Sequence, residues 1–396
     1  MRPETRAFDA VIVGGGPSGL AAATELRRLG VGSVAIVERE PVAGGIPRHC
    51  GHPPFGMREF GRVLRGPTYA ARLVERAETT GVVILTGTTV VGLAPGPRVV
   101  VTSSAGVGEI TARRVLLCTG VREASRAARL IGGAKPGGIL STGALQSMVY
   151  LKGIRPFSRP VILGTELVSF SALLTCRHIG IRPVAMVEPG ARTTARWPAA
   201  LLPRALGIPL HLDTDLVAIH GDGRVTAVTL RDAGGAERSL ATDGVVVSGR
   251  FLPEASLVRA SHIALDPLTG GPVVDQFGRC SDPDFFATGN LLRAVETAGW
   301  SWAEGRRTAR AIAASLSGTL AAPSTQAAVS VEGPLKYVVP QRVVAGAIAT
   351  GAAEDFQLRV TRAVRGRLTL HAGDRVIWSK PIDALPERRV RAPLPG

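Results

Sequence analysis

Apolar residues fall into short unbroken runs separated by stretches of helical period. The run at 10–13 leads into a turn at 14–19, and 20–29 reads as a helix. A second run at 34–37 ends on Glu38. Unbroken rather than alternating apolar runs predict parallel strands covered on both faces. The segment 67–80 places Ala70, Leu73, Val74 and Ala77 on one helical face. Strands are then expected at 82–85, 89–93, 99–102 and 109–111. Another follows at 115–118, running into Thr119-Gly120. From Pro160 the opening recurs: a strand at 160–163, a turn at 164–169, a helix over 170–179, and a strand at 184–188 ending on Glu188. Gly164 and Glu188 stand 150 positions after Gly14 and Glu38, which marks an internal duplication. Strands near Leu210 and Val217, at 225–230, 238–240 and 245–247 complete the second copy.

The run at 285–287 is a further buried strand, followed by Thr288-Gly289-Asn290 and a helix over 301–316. Pro323-Ser324-Thr325 reads as a linker. Beyond it the pattern changes to short alternating segments at 337–340, 356–360, 368–370 and 375–378, as in a small all-β module. The expected fold class is therefore α/β, with two Rossmann-like dinucleotide-binding domains and a small C-terminal β module. The outer domain is expected over 1–123 and 250–318, the inserted one over 124–249, and the module over 327–396.

Composition refines this picture. The chain has 396 residues, enough for two or three domains, and 45% are hydrophobic, enough for large cores. A net charge of +16 would suggest nucleic acid or an anionic membrane. Yet lysine occurs only at 135, 152, 336 and 380, and the arginines are scattered with no interleaved aromatics. Nucleic-acid binding is not expected on that footprint, and a docking surface for an acidic protein partner fits better. The four cysteines at 50, 118, 176 and 280 show no C-x-x-C spacing, so neither a zinc site nor a dithiol is indicated. The absence of a leader pattern and of any long apolar stretch points to a cytoplasmic protein, reaching a membrane only through partners.

The turn Gly14-Gly15-Gly16-Pro17-Ser18-Gly19 carries the clearest chemistry. Gly14 allows the tight turn, Gly16 lets a pyrophosphate approach the backbone, and Gly19 lets helix and strand pack closely. The N-terminus of the helix that follows Pro17-Ser18-Gly19 offers free N–H groups and a positive dipole end. Glu38, followed by Arg39, closes the second strand as a ribose acceptor should.

In order, the glycine turn, the strand ending at Thr119-Gly120, the inserted second copy and the late Gly289-Asn290 resemble the pyridine nucleotide-disulfide oxidoreductase superfamily, over about 8–318. The stretch Gly44-Gly45-Ile46-Pro47-Arg48-His49-Cys50-Gly51-His52, with 64–70 and Tyr337-Val338-Val339-Pro340-Gln341, is similar to a disulfide-lacking branch. That branch comprises flavin subunits of glycerol-3-phosphate dehydrogenase-like and amine, opine or imino-acid dehydrogenase complexes. The resemblance implies FAD on the first fold, with Gly45, Thr119, Gly120, Gly289 and Asn290 lining it. It also implies that the late helix, from about Ser301, points its N-terminus at the flavin, with Thr297 among the cofactor contacts. Asn290 replaces the acid usual there. The implied partners are a dehydrogenase-type protein and an iron–sulfur or small cysteine-rich protein. The implied substrate is a small amine, imino acid or polyol phosphate.

The second turn departs from the pattern, with Glu166 and Ser169 where glycines are expected. Either NAD(P)H sits there in a shifted pose, using Glu188, or the fold is a relic. The added bulk and negative charge favour the relic. Cys50 has no partner thiol nearby. His49, Cys50 and His52 are candidates for acid/base or thiol chemistry, and equally for ordinary loop residues; a metal there is not expected. Two further readings stay open: an NAD(P)H-dependent FAD reductase, and a non-catalytic flavin-holding protein of an assembly.

Overall fold

A computed structural model describes residues 6–323, 326–344 and 351–394. Ser324 and Thr325 of the expected linker lie outside them. The chain divides into two compact units. The first comprises 1–45, 70–121 and 253–396, and the second 46–69 and 122–252.

The first unit is built on a seven-stranded sheet. Strand Arg6–Val13 lies between Val34–Val37 and Gly106–Leu117, parallel to both. Val83–Leu85 extends one edge in parallel, and Phe285–Ala287 pairs with Gly106–Leu117 in parallel. The meander of Thr89–Ala94, Arg98–Ser103 and Gly106–Leu117 is antiparallel. The strands expected at 109–111 and 115–118 are thus one strand of 12 residues. Its first half pairs within the meander and its second half is buried in the parallel sheet, so the apolar pattern breaks midway although the backbone does not.

Two helices of this unit position the site. Pro17–Arg28 follows the glycine turn, with proline in its first turn, where the missing N–H costs nothing. Ala298–Leu316 begins three residues before the expected start, with Thr297 as N-cap residue. Gly299 and Trp300 in its first turn obscure the helical period. The C-terminal segment forms antiparallel pairings: Leu335–Val339 with Asp355–Val360, that strand with Val390–Pro393, and Val364–Ala372 with Arg375–Ala384. Among the described residues no helix is long and apolar enough to cross a membrane.

The second unit repeats the parallel arrangement over five strands. Pro160–Leu163 lies between Ala185–Val187 and Gly244–Val247, and Leu210–His211 and Ile139–Ser141 form the edges. Leu167–His178 is its turn helix, and Thr142–Lys152 is capped by the Ser141 hydroxyl accepting from the Ala144 N–H. Residues 46–69 cluster with this unit, so the cysteine-bearing loop belongs to it.

Candidate functional site

The first glycine turn is tightly built at Gly14 and Gly19 and open at Gly16. Gly14 adopts φ +106°, and a Cβ there would stand 2.6 Å from the Cys118 carbonyl oxygen. A Cβ on Gly19 would collide with the Gly14 carbonyl. Gly16 differs: a Cβ there meets only the Gly45 Cα, at 4.0 Å. Its outward face is open, as a cradle for an approaching phosphate must be. Gly45, at φ +62°, closes the far side, and the Gly44 N–H donates to the Gly15 carbonyl at 2.8 Å. Glu38 is buried and both its oxygens are oriented. Oε2 accepts from the Gly15 N–H at 2.8 Å and Oε1 from the Glu40 N–H at 2.9 Å. Arg39 is exposed, and its Nε lies 3.9 Å from Glu40, a pairing worth little in water.

The other expected cradle residues belong to the same unit. A Cβ on Gly289 would lie 2.7 Å from the Ser18 Oγ and 3.8 Å from the Ser301 Cβ, so the starts of both helices and this glycine surround one spot. The Thr288 and Ser301 hydroxyls there are buried and have no hydrogen-bond partner among the described residues. Buried polar groups without partners are uncommon and are satisfied by a ligand or water. The open face of Gly16, the oriented Glu38 and these two hydroxyls fit a dinucleotide. Thr119 donates its hydroxyl to the Glu254 carbonyl at 2.7 Å, and Gly120 accepts from the Glu254 N–H at 2.9 Å. Asn290 is committed twice to Glu296: its Nδ2 donates to the carbonyl at 3.1 Å, and its Oδ1 accepts from the N–H at 2.8 Å. Its amide braces the loop before the last long helix. Thr297 makes no side-chain cap bond and is exposed.

Beneath this loop lies a buried polar network invisible in the sequence. Arg293 donates to Glu304 at 3.0 Å and 3.1 Å and to the Gly289 carbonyl at 3.1 Å. Gln357 of the C-terminal strands accepts from Arg293 at 2.6 Å, and Glu304 accepts from the Gly289 N–H at 3.2 Å. Burial alone would raise the Glu304 pKa, but the Arg293 charge, then Arg307, holds it below the ordinary carboxylate value.

The second turn keeps the backbone of the first but carries other side chains. Gly164 has φ +106°, as Gly14 does, and its Cβ would stand 2.9 Å from the Ser248 carbonyl oxygen. Glu166 turns its carboxylate onto the end of the neighbouring strand, accepting from the Arg250 N–H at 2.7 Å. A Cβ on Gly249 would lie 2.5 Å from its Oε1. Ser169 is buried and donates to the Ser248 Oγ at 2.9 Å. Arg129 donates to the Ser248 and Gly249 carbonyls, and Glu123 accepts from the Gly143 and Gly249 N–H groups at 2.8 Å and 3.0 Å. Glu188 accepts from the Thr165 hydroxyl and from the Gly190 N–H. The Glu166 carboxylate is thus engaged by the backbone at 249–250. Glu166 and Ser169 were the readable signal; Glu123, Arg129 and Arg250 had none, because only the fold gathers them.

His49, Cys50 and His52 belong to the second unit, whereas every expected cradle residue belongs to the first. Cys50 is buried, with its Sγ 3.5 Å from both the Ile46 carbonyl and the Gln146 Oε1. Burial, and then the Glu123 charge, pushes its thiol up to about 12. His52 directs Nδ1 to the Pro53 carbonyl at 2.9 Å and Nε2 to the Ser171 hydroxyl, so both ring nitrogens are engaged. His49 is half-buried. Among the described residues no group of three or more His, Cys, Asp and Glu side chains could hold a metal, and all four cysteines are free. Native protein at pH 8 should therefore be alkylated at Cys50 about a thousandfold more slowly than urea-unfolded protein, because the thiolate is the nucleophile. Peptide mapping after a timed iodoacetamide pulse measures this.

Comparison with known proteins agrees with this geometry. The family model described as pyridine nucleotide-disulphide oxidoreductase matches residues 8–310. The A chain of the opine oxidase of Rhizobium meliloti (strain 1021), one of that enzyme's subunits, is 26% identical over 264 residues, covering 65% of this chain and 56% of its own length. The alpha subunit of the sarcosine oxidase of Corynebacterium sp. (strain P-1) is 28% identical over 273 residues, covering 63% of this chain and 27% of its own. The chain therefore spans about half the length of the first relative and about a quarter of the second. Thioredoxin reductase of T. acidophilum aligns with a TM-score of 0.66 at 23% identity, over 78% of this chain and 99% of that one, a likeness of fold. The matched span takes in both glycine turns and the return strand Phe285–Ala287, and the chain belongs to the pyridine nucleotide-disulphide oxidoreductase family.

Proposed function

We propose that this chain is the FAD-carrying subunit of a multi-subunit dehydrogenase or oxidase. On this reading it passes electrons from a small organic substrate, an amine, imino acid or polyol phosphate, to a flavin, iron–sulfur or quinone acceptor. The contrast between the two turns carries the reading. The first is open at Gly16 and has Glu38 in place, whereas Glu166 occupies the corresponding place in the second. FAD supplies a ring that accepts a hydride or single electrons. Gly14, Gly16 and Gly19 would pass its pyrophosphate along the backbone, and Glu38 would receive the adenosine ribose. Buried Ser301 and Thr288 would donate to the cofactor the hydroxyls that find no partner in the described residues. Membership of a larger complex draws support from the names of the two relatives, both subunits of oxidases. A partner protein would supply the substrate's acid or base, since Cys50 is held as a thiol and His52 is engaged at both nitrogens.

An NAD(P)H-dependent reductase is the main competitor, and the bulk and charge of Glu166 in the second turn argue against it. Anaerobic stopped-flow mixing of the purified flavoprotein with NADH or NADPH separates the two. Flavin bleaching should be at least about a hundredfold slower than the roughly 1–1000 per second typical of enzyme turnover. Fast bleaching by either nucleotide would overturn the reading of the second fold as a relic.

A further inference from the structure

The second unit has a cleft of about 340 Å³ outside both nucleotide turns, within the size range of small-molecule sites. Gly51, His52, Arg65, Tyr150, Leu174 and His178 line it together with two prolines, and no carboxylate does. Tyr150 and His178 stack in its wall, ring centroids 5.1 Å apart and planes 22° apart. The Tyr150 ring lies against Gly51 so closely that any Cβ there would strike it. Glycine at 51 is thus what allows this wall to form. His52 is fixed by Ser171 and the Pro53 carbonyl, so it contributes a surface rather than a free donor.

Arg65 is the exception to this mutual engagement. Its side chain has no hydrogen bond or ion pair among the described residues. The backbone on either side of it is nonetheless pinned. Leu64 exchanges hydrogen bonds with Phe55 at 2.8 Å and 3.0 Å, and the Gly66 N–H donates to the Cys50 carbonyl at 3.1 Å. A Cβ on Gly66 would run into the Pro47 and Cys50 carbonyls, so this stretch is tightly seated. A guanidinium on a firmly seated backbone, lining a cleft with five donors and no acid among its described lining residues, matches the planar fork of a carboxylate. The Tyr150–His178 pair and Leu174 offer a flat, largely apolar surface beside it.

We propose that this cleft binds a small organic carboxylate, its carboxylate on Arg65 and its apolar or aromatic body against Tyr150 and Leu174. The inference needs neither a flavin nor an electron-transfer role, so it stands or falls independently of the proposed function.

Isothermal titration calorimetry of the full-length protein with benzoate tests it, with benzamide and inorganic phosphate as companion probes. Benzoate should bind at millimolar or lower concentration, and benzamide and phosphate at least about tenfold more weakly, as a charge-assisted bidentate contact requires. Arg65→Gln should weaken benzoate about tenfold or more, and Arg65→Lys by less, because charge survives while the fork is lost. Arg65 is exposed, so these variants should fold, and unchanged circular dichroism checks that they do. Gly51→Ala should also weaken benzoate by displacing Tyr150. No benzoate binding, equal binding by Arg65→Gln, or phosphate binding as tight as benzoate would overturn the proposal.

Discussion

Replacing Gly16 with glutamate is expected to yield a folded protein that no longer holds FAD. A Cβ at this position meets nothing closer than the Gly45 Cα at 4.0 Å, so the substitution starts without a backbone clash. The open face of Gly16 is the path proposed for the pyrophosphate. A carboxylate about 4 Å from a phosphate charge costs about 4 kcal/mol at the effective dielectric of a protein surface. That corresponds to a loss of affinity of about a thousandfold. The chain already contains the product of this change, since Glu166 holds the corresponding place in the second turn. Gly19→Ala is a poorer test, because its Cβ collides with the Gly14 carbonyl and would disturb the fold itself. Flavin absorbance per chain, beside a circular dichroism spectrum, reads the Gly16→Glu result.

The second large effect lies beneath the loop at Gly289. Glu304→Ala removes the carboxylate from a pair in which Arg293 is 2% and Glu304 5% exposed. Arg293 would keep Gln357, the Gly289 carbonyl and the more distant Glu296 charge but lose the carboxylate it hydrogen-bonds. Breaking a buried pair from one side costs about 3–5 kcal/mol, because a charge is left in a poorly solvated place. Urea denaturation followed by circular dichroism should show a loss of that size. The sign of the pH dependence follows from Glu304's lowered pKa. The stability it contributes is present above the unfolded-state carboxylate pKa and is lost as pH falls through the lower folded-state value. The gap between wild type and Glu304→Ala should therefore close in acid rather than in alkali. Flavin should also bind less tightly, since Glu304 accepts from the Gly289 N–H and Gln357 ties the C-terminal strands to the same network.

Much of the fold was legible because its signals are local. An unbroken apolar run, a glycine turn and a terminal acid describe a parallel strand and its nucleotide loop from neighbouring residues alone. The departure at Glu166 and Ser169 was legible for the same reason, since the two turns can be compared position by position. What was missed is gathered from a distance. Glu123, Arg129 and Arg250 meet around the second turn, yet they come from a strand end, a short 3-10 turn and a loop. Arg293, Glu304 and Gln357 form one buried cluster from a loop, a helix and a C-terminal strand. The allocation of 46–69 to the second unit was equally hidden, because glycine- and proline-rich sequence has no period to read. The bonds between the Asn290 amide and the Glu296 backbone were equally hidden, since no spacing rule announces them.

The central claim is that the first turn holds FAD and the second holds no nucleotide. The most direct measurement is the ratio of released, chromatographically identified FAD to protein chain, in wild type and in Gly16→Glu prepared side by side. One FAD per wild-type chain and almost none in the folded variant is the predicted result. A colourless wild-type protein, or a variant as yellow as its parent, would contradict it.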